Sequence, residues 1–170
     1  MVIAYHVILS AYGFWLPNDP RGSWSIFVAA WDLFRYAGKA TKVETTRSVA
    51  HVPHDRTKRL SAKRLLKHPT VRWNGQQARA IARGFSQAAG ESGYEILACA
   101  ILEDHVHLII ARTSRPIGQV VGHLKARATR QLRDEGMHPF ERSVNADGSI
   151  PTTWAGRYWK VFIDDAEHRE

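Results

Sequence analysis

Apolar positions alternate with polar ones along several short runs and recur at helical spacing along others. Residues 2–12, "VIAYHVILSAY", are β-branched and aromatic and stop at Gly13, which reads as a strand. "WLPNDPRGSW" (15–24) is dense in turn formers. "SIFVAAWDLFRYAGK" reads as a short helix ending near Gly38, and a second short helix is expected around "RLSAKRLLKH". In "GQQARAIARGFSQAAGES" (75–92), Ala78, Ile81, Ala82, Phe85 and Ala89 fall on one helical stripe, and Gly93 ends it. "YEILACAIL" (94–102) and "HVHLIIA" (105–111) read as two strands close enough for a hairpin. "PIGQVVGHLKARATRQLRDEG" (116–136) is a helix with Pro116 near its start, Gly136 at its end, and an apolar stripe of Ile117, Val120, Val121, Leu124, Ala128 and Leu132. Residues 137–156 read as irregular, "RYWKVFI" (157–163) as a last strand, and "DDAEHRE" as the opening turn of a helix. The order strand, helix, strand, strand, helix, strand predicts an α+β, ferredoxin-like antiparallel sheet with helices on one face.

Composition narrows the class. The chain of 170 residues carries 44% hydrophobic and 24% charged residues, as expected of one globular domain with a real core. No apolar run reaches the roughly 18 residues of a membrane span, and "MVIAYHVILSAYGF" has the pattern of a strand, not of a signal peptide. Cys99 is the only cysteine, so an internal disulfide and a cysteine-based zinc site are both excluded, and a cytoplasmic location is expected. The net charge of +8 is concentrated: Lys39, Lys42, Arg47, Arg56, Lys58, Arg59, Lys63, Arg64, Lys67 and Arg72 face only Glu44 and Asp55, while the rest of the chain is neutral. We therefore expect a single domain, 1–170, with a basic insertion at about 37–73 and a polyanionic partner, nucleic acid first. A solvated basic loop without a ligand is the competing reading.

Candidate chemistry centres on "EDHVHLII". On a strand, His105 and His107 project from the same face about 7 Å apart along the backbone, with Val106, Leu108 and Ile110 on the other. Two imidazoles on one side of a rigid strand can chelate a divalent ion, and Glu103 shares their parity. The spacing alone is equally compatible with two histidines hydrogen-bonded beneath a loop. His6 on the first strand is placed on the same side as a satisfied polar neighbour. Arg112, Arg115, Lys125, Arg127, Arg130 and Arg133 follow one another without an intervening acid. With Lys58, Arg59, Lys63 and Arg64 they are the candidate phosphate contacts. Trp15, Trp24, Trp31 and Trp73 border basic stretches, where an aromatic either stacks on a base or packs in the core.

"HVHLII" after "YHVILS" and before "GHLKARATRQL", together with "GFWLPNDPRGSW", "ATKVETTRSVAHVPHDRTKRL" and "WKVFIDD", resembles the single-tyrosine HUH transposases. Within them it is most similar to the REP-associated tyrosine transposases, which are insertion-sequence-200-like, from Tyr5 to about Asp165. The resemblance implies a nickase and strand transferase acting on hairpin-forming single-stranded DNA, with His105 and His107 as ligands of Mg²⁺ or Mn²⁺ and a 5′-phosphotyrosine intermediate. It also implies a monomer or a homodimer. The family's tyrosine follows the last strand on a helix, and no such motif precedes Glu170, so a chain that binds metal and DNA without nicking is expected. Tyr158 is a conceivable substitute nucleophile, against the plainer reading of an aromatic packed beside Trp159. Two other readings stay open: a non-catalytic nucleic-acid-binding protein, and a metal-dependent phosphoesterase using water as nucleophile.

Overall fold

A computed structural model describes residues 1–16, Arg35 and 55–164. The chain divides into two compact units, Met1–Tyr12 with Val71–Glu170, and Gly13–Thr70. The sheet and both long helices belong to the first; the second contains most of the basic segment.

The first unit holds strands β1 (Ala4–Ala11), β2 (Ile96–Ile101), β3 (His105–Ala111) and β4 (Trp154–Ile163). The second contributes the short helix α1 (Arg56–Arg64), and the first continues with α2 (Gly75–Ser92) and α3 (Ile117–Asp134). The strands form one sheet in the order β2-β3-β1-β4, every neighbouring pair antiparallel. With a helix between β1 and β2 and another between β3 and β4, this is the expected ferredoxin-like α+β arrangement. Val7 and Leu9 of β1 and Val106, Leu108 and Ile110 of β3 are fully buried. They share the face that the helices cover: Trp154 stacks on Phe85 of α2, and its indole nitrogen donates to Thr129 of α3 at 3.1 Å.

Local chemistry explains the helix limits. Asn74 caps α2 by accepting from Gln76 N and Gln77 N, and the Gln77 side chain accepts in return from Asn74 N. Gly93 ends that helix at φ 67°, a left-handed conformation that costs glycine nothing. The buried stripe of α3 is the one expected, Ile117, Val120, Val121, Leu124, Ala128 and Leu132. That of α2 is rotated: Ala80, Ile81, Gly84, Phe85 and Ala88 are buried, while Ala82 is exposed. The reason is the crossing with α3, where Gly84 lies against the Ala128 backbone so closely that only a hydrogen fits. Periodicity cannot rank alanine faces that differ only in how near another helix comes.

The last strand starts three residues earlier than expected, at Trp154, because its pairing with β1 shifts between Leu9 and Ala11 and resumes at Ala11↔Trp154. In the second unit α1 is capped by Asp55, which accepts from Lys58 N at 2.9 Å. The helix expected over 25–39 (Arg35 apart) and the opening turn expected over 164–170 (Asp164 apart) lie outside the described residues. Among the described residues no helix is long and apolar enough to cross a membrane.

Candidate functional site

β3 alternates half-buried and buried positions without a break, so His105 and His107 emerge on the face away from the helices while their neighbours anchor the strand in the core. On β1, Ser10 is in register with His105, and Ile8 with His107. Ala11 N donates to Asp104 O, which makes Ser10–His105 a non-hydrogen-bonded pair, the kind with the closest side chains. His6 lies diagonally from His107 on the same face. The ring centroids of His105 and His107 are 4.9 Å apart.

Each of the two rings is held through Nδ1. His105 Nδ1 is 2.5 Å from the Asp104 carboxylate, and His107 Nδ1 is 3.0 Å from His6 Nε2. The His6 ring lies within 24° of the His107 plane, end to end with it, and meets the Trp159 indole edge-on, with ring centroids 5.2 Å apart in both cases. Burial holds His107 below the usual histidine range, helped by the nearby charges of His105 and His6, and burial alone lowers His6. Neutral imidazole is the form that ligates metal.

Imidazole nitrogens are donors of the kind that a divalent cation takes. Neither His105 nor His107 uses Nε2 in a hydrogen bond among the described residues, and the buried Ser10 hydroxyl beside them has no partner there either. Among the described residues no group of three His, Cys, Asp or Glu side chains is set to hold a metal, and on this face those residues offer the two histidine nitrogens. Glu103, which shares their parity in sequence, is turned to an ion pair with Arg72. The residue overlooked in sequence is Asp104; a carboxylate adjoining a candidate ligand histidine was the available signal.

Tyr158 is in register with Leu9, on the helix side of the sheet, and its hydroxyl lies near Gly118 of α3. It is on the opposite face from the histidines. Tyr5 is likewise in register with the buried Ile110, Tyr94 is buried and accepts from Arg115, and Tyr12 packs edge-on against Phe140.

The candidate phosphate contacts separate into two groups. Arg112, Arg115 and Arg130 are exposed in the first unit, and Lys58, Lys63 and Arg64 are exposed on α1, with Lys63 over the Phe14 ring. Arg59 is half-buried. Lys125 turns inward: its ammonium donates to Ala155 O and Arg157 O of β4, and burial pushes its pKa down to about 8. Arg127 pairs with Glu91 of α2 at 2.7 Å. A groove of about 840 Å³ lined by Lys125, Thr129, Arg130, Arg133, Thr152 and Trp154 runs along α3 and includes neither histidine of the pair. Trp73 is core, tilted on Trp154 at 4.8 Å.

Residues 65–169, well over half the chain, match the family model described as Transposase IS200 like. The chain belongs to the IS200-like transposases. Among solved structures, this family member is similar to a chain described as a transposase of Deinococcus radiodurans, at 14% identity and a TM-score of 0.47, covering 99% of this chain and 84% of that one. It is also similar to a REP-associated tyrosine transposase bound to a REP hairpin, at 10% identity and a TM-score of 0.46, covering 98% of this chain and 59% of that one. No curated protein matches it.

Proposed function

We propose that this IS200-like transposase chain is the metal-binding and DNA-binding body of a single-strand nickase and strand transferase acting on hairpin-forming DNA. The observation that carries the reading is the paired presentation of His105 and His107 from one strand, each ring fixed through Nδ1 and each Nε2 unengaged among the described residues. A bound Mg²⁺ or Mn²⁺ would supply Lewis-acid stabilisation of charge on a scissile phosphate oxygen. His105 and His107 would hold it, and the Ser10 hydroxyl would donate to an oxygen of the same ligand shell. Arg112, Arg115 and Arg130 would neutralise backbone phosphates and, in the other unit taken by itself, so would Lys58, Lys63 and Arg64; Arg59, Lys125 and Arg127, which are half-buried or paired within the protein, would contribute less.

In this family-based reading the attacking group is a tyrosine that becomes joined to the 5′-phosphate, releasing a 3′-hydroxyl. Tyr5 and Tyr158 are on the wrong face of the sheet for that role. The chain is expected to bind metal and hairpin DNA without forming a covalent link at Tyr5 or Tyr158, and a purely binding role is the second reading.

Two measurements test this. Calorimetry with Mn²⁺ should show uptake that is lost in His105→Ala and His107→Ala; no uptake by the unaltered chain overturns the metal assignment. Incubation with end-labelled hairpin DNA and Mn²⁺ should give a retarded complex and no adduct on denaturing gels. An adduct abolished by Tyr158→Phe would overturn the assignment of the tyrosines.

A further inference from the structure

We infer that Asp104 and His6 are positioning residues that fix the tautomers and ring orientations of His105 and His107, so that both present an Nε2 lone pair to the ion before it arrives. The inference rests on the metal reading of the pair, but its geometry stands in the metal-free protein.

The argument for His105 is short. An ionised carboxylate only accepts hydrogen bonds, and Asp104 Oδ1 is 2.5 Å from His105 Nδ1. The ring proton must then sit on Nδ1, and in a neutral imidazole Nε2 is left as a lone pair. Asp104 immediately precedes β3, so the strand that carries the ligand also delivers the group that orients it.

For His107 the partner is another imidazole. Its Nδ1 faces His6 Nε2 at 3.0 Å, so one proton is shared between the two atoms. With that proton on His107, the His107 Nε2 is a donor to metal. With it on His6, the His107 ring carries its own proton on Nε2 and turns a positive hydrogen towards the cation. The inference assigns the first arrangement; the His6 ring that accepts this proton lies nearly in the plane of His107 and is met edge-on by Trp159 of β4. Three adjacent strands, β3, β1 and β4, thus fix one nitrogen. Partners of this kind hold metal-ligating histidines in place and raise their basicity, and their loss commonly weakens metal binding about 10- to 100-fold.

The test has two parts. Long-range proton–nitrogen correlation spectra of the metal-free protein read each histidine tautomer directly. The Nδ1–H form is expected at both His105 and His107, and an Nε2–H form at either overturns the inference whether or not metal binds. Mn²⁺ titrations then compare Asp104→Ala with Asp104→Asn, and His6→Phe with His6→Gln. Alanine and phenylalanine remove the acceptor and should weaken binding about 10- to 100-fold. Asparagine and glutamine keep an acceptor oxygen and should recover most of it. If the unaltered chain binds Mn²⁺ and both acceptor-free variants bind equally well, positioning is refuted while the metal site survives. If the unaltered chain takes up no Mn²⁺, the metal reading fails and the tautomer spectra alone decide the positioning. A variant that does not fold leaves the decision to those spectra as well.

Discussion

Replacing Gly84 by alanine tests the helix layer that supports the histidine face. A Cβ at that position would lie 2.6 Å from Ala128 Cα and 2.7 Å from Ala128 N, both backbone atoms of α3. Ordinary contact begins at 3.4 Å, so α2 and α3 would have to separate by about 0.8 Å. No flexible side chain can absorb that movement. Overpacking of this kind costs about 1–3 kcal/mol. Alanine regains about 0.8–1 kcal/mol of helix propensity relative to glycine. A net loss of up to roughly 2 kcal/mol is expected. Gly90 on the same helix is the control, because nothing lies within 4 Å of a Cβ built there. Gly90→Ala should stabilise by about 0.5–1 kcal/mol through propensity alone. Equilibrium urea unfolding followed by far-ultraviolet circular dichroism reads both, with an unchanged slope required for the comparison. Gly84→Ala stabilising the protein as much as Gly90→Ala does would refute the close approach of the two helices. Because His105 and His107 face away from the helices, folded Gly84→Ala should bind Mn²⁺ as the parent does.

Three further outcomes follow from other parts of the fold. Leu108→Ala, which empties a fully buried position on the helix-facing side of β3, should lower unfolding stability by about 2–5 kcal/mol in the same urea assay. Asn74→Ala removes the acceptor of both Gln76 N and Gln77 N and should cost about 0.5–2 kcal/mol, seen as a lowered thermal midpoint. His6, His107 and His138 all have lowered pKa values through burial, so the folded protein binds fewer protons than the unfolded one just below pH 6.5. Their contribution should be full above pH 6.5 and lost as the pH falls through the folded values; a urea midpoint that does not drop between pH 7.5 and 5.5 would contradict the burial of these rings.

What sequence alone determined was local. Pleat alternation puts His105 and His107 on one side of β3 wherever that strand sits, and helical periodicity picks out the Ile117–Leu132 stripe, because both follow from geometry within a single element. Element order then limits the topology to very few sheets, which is why the ferredoxin-like arrangement was legible. Tertiary structure decided the rest. Register with β1 brought His6 to His107 and turned Tyr158 to the helix side. Competition among nearby charges sent Glu103 to Arg72 and Arg127 to Glu91, and the shifted pairing of β4 offered carbonyls that drew Lys125 inward. The close crossing at Gly84 chose which alanine face of α2 was buried. Each of these depends on the distance between segments far apart in the chain. Such distances are set by how the whole core closes, and no periodicity within one segment records them.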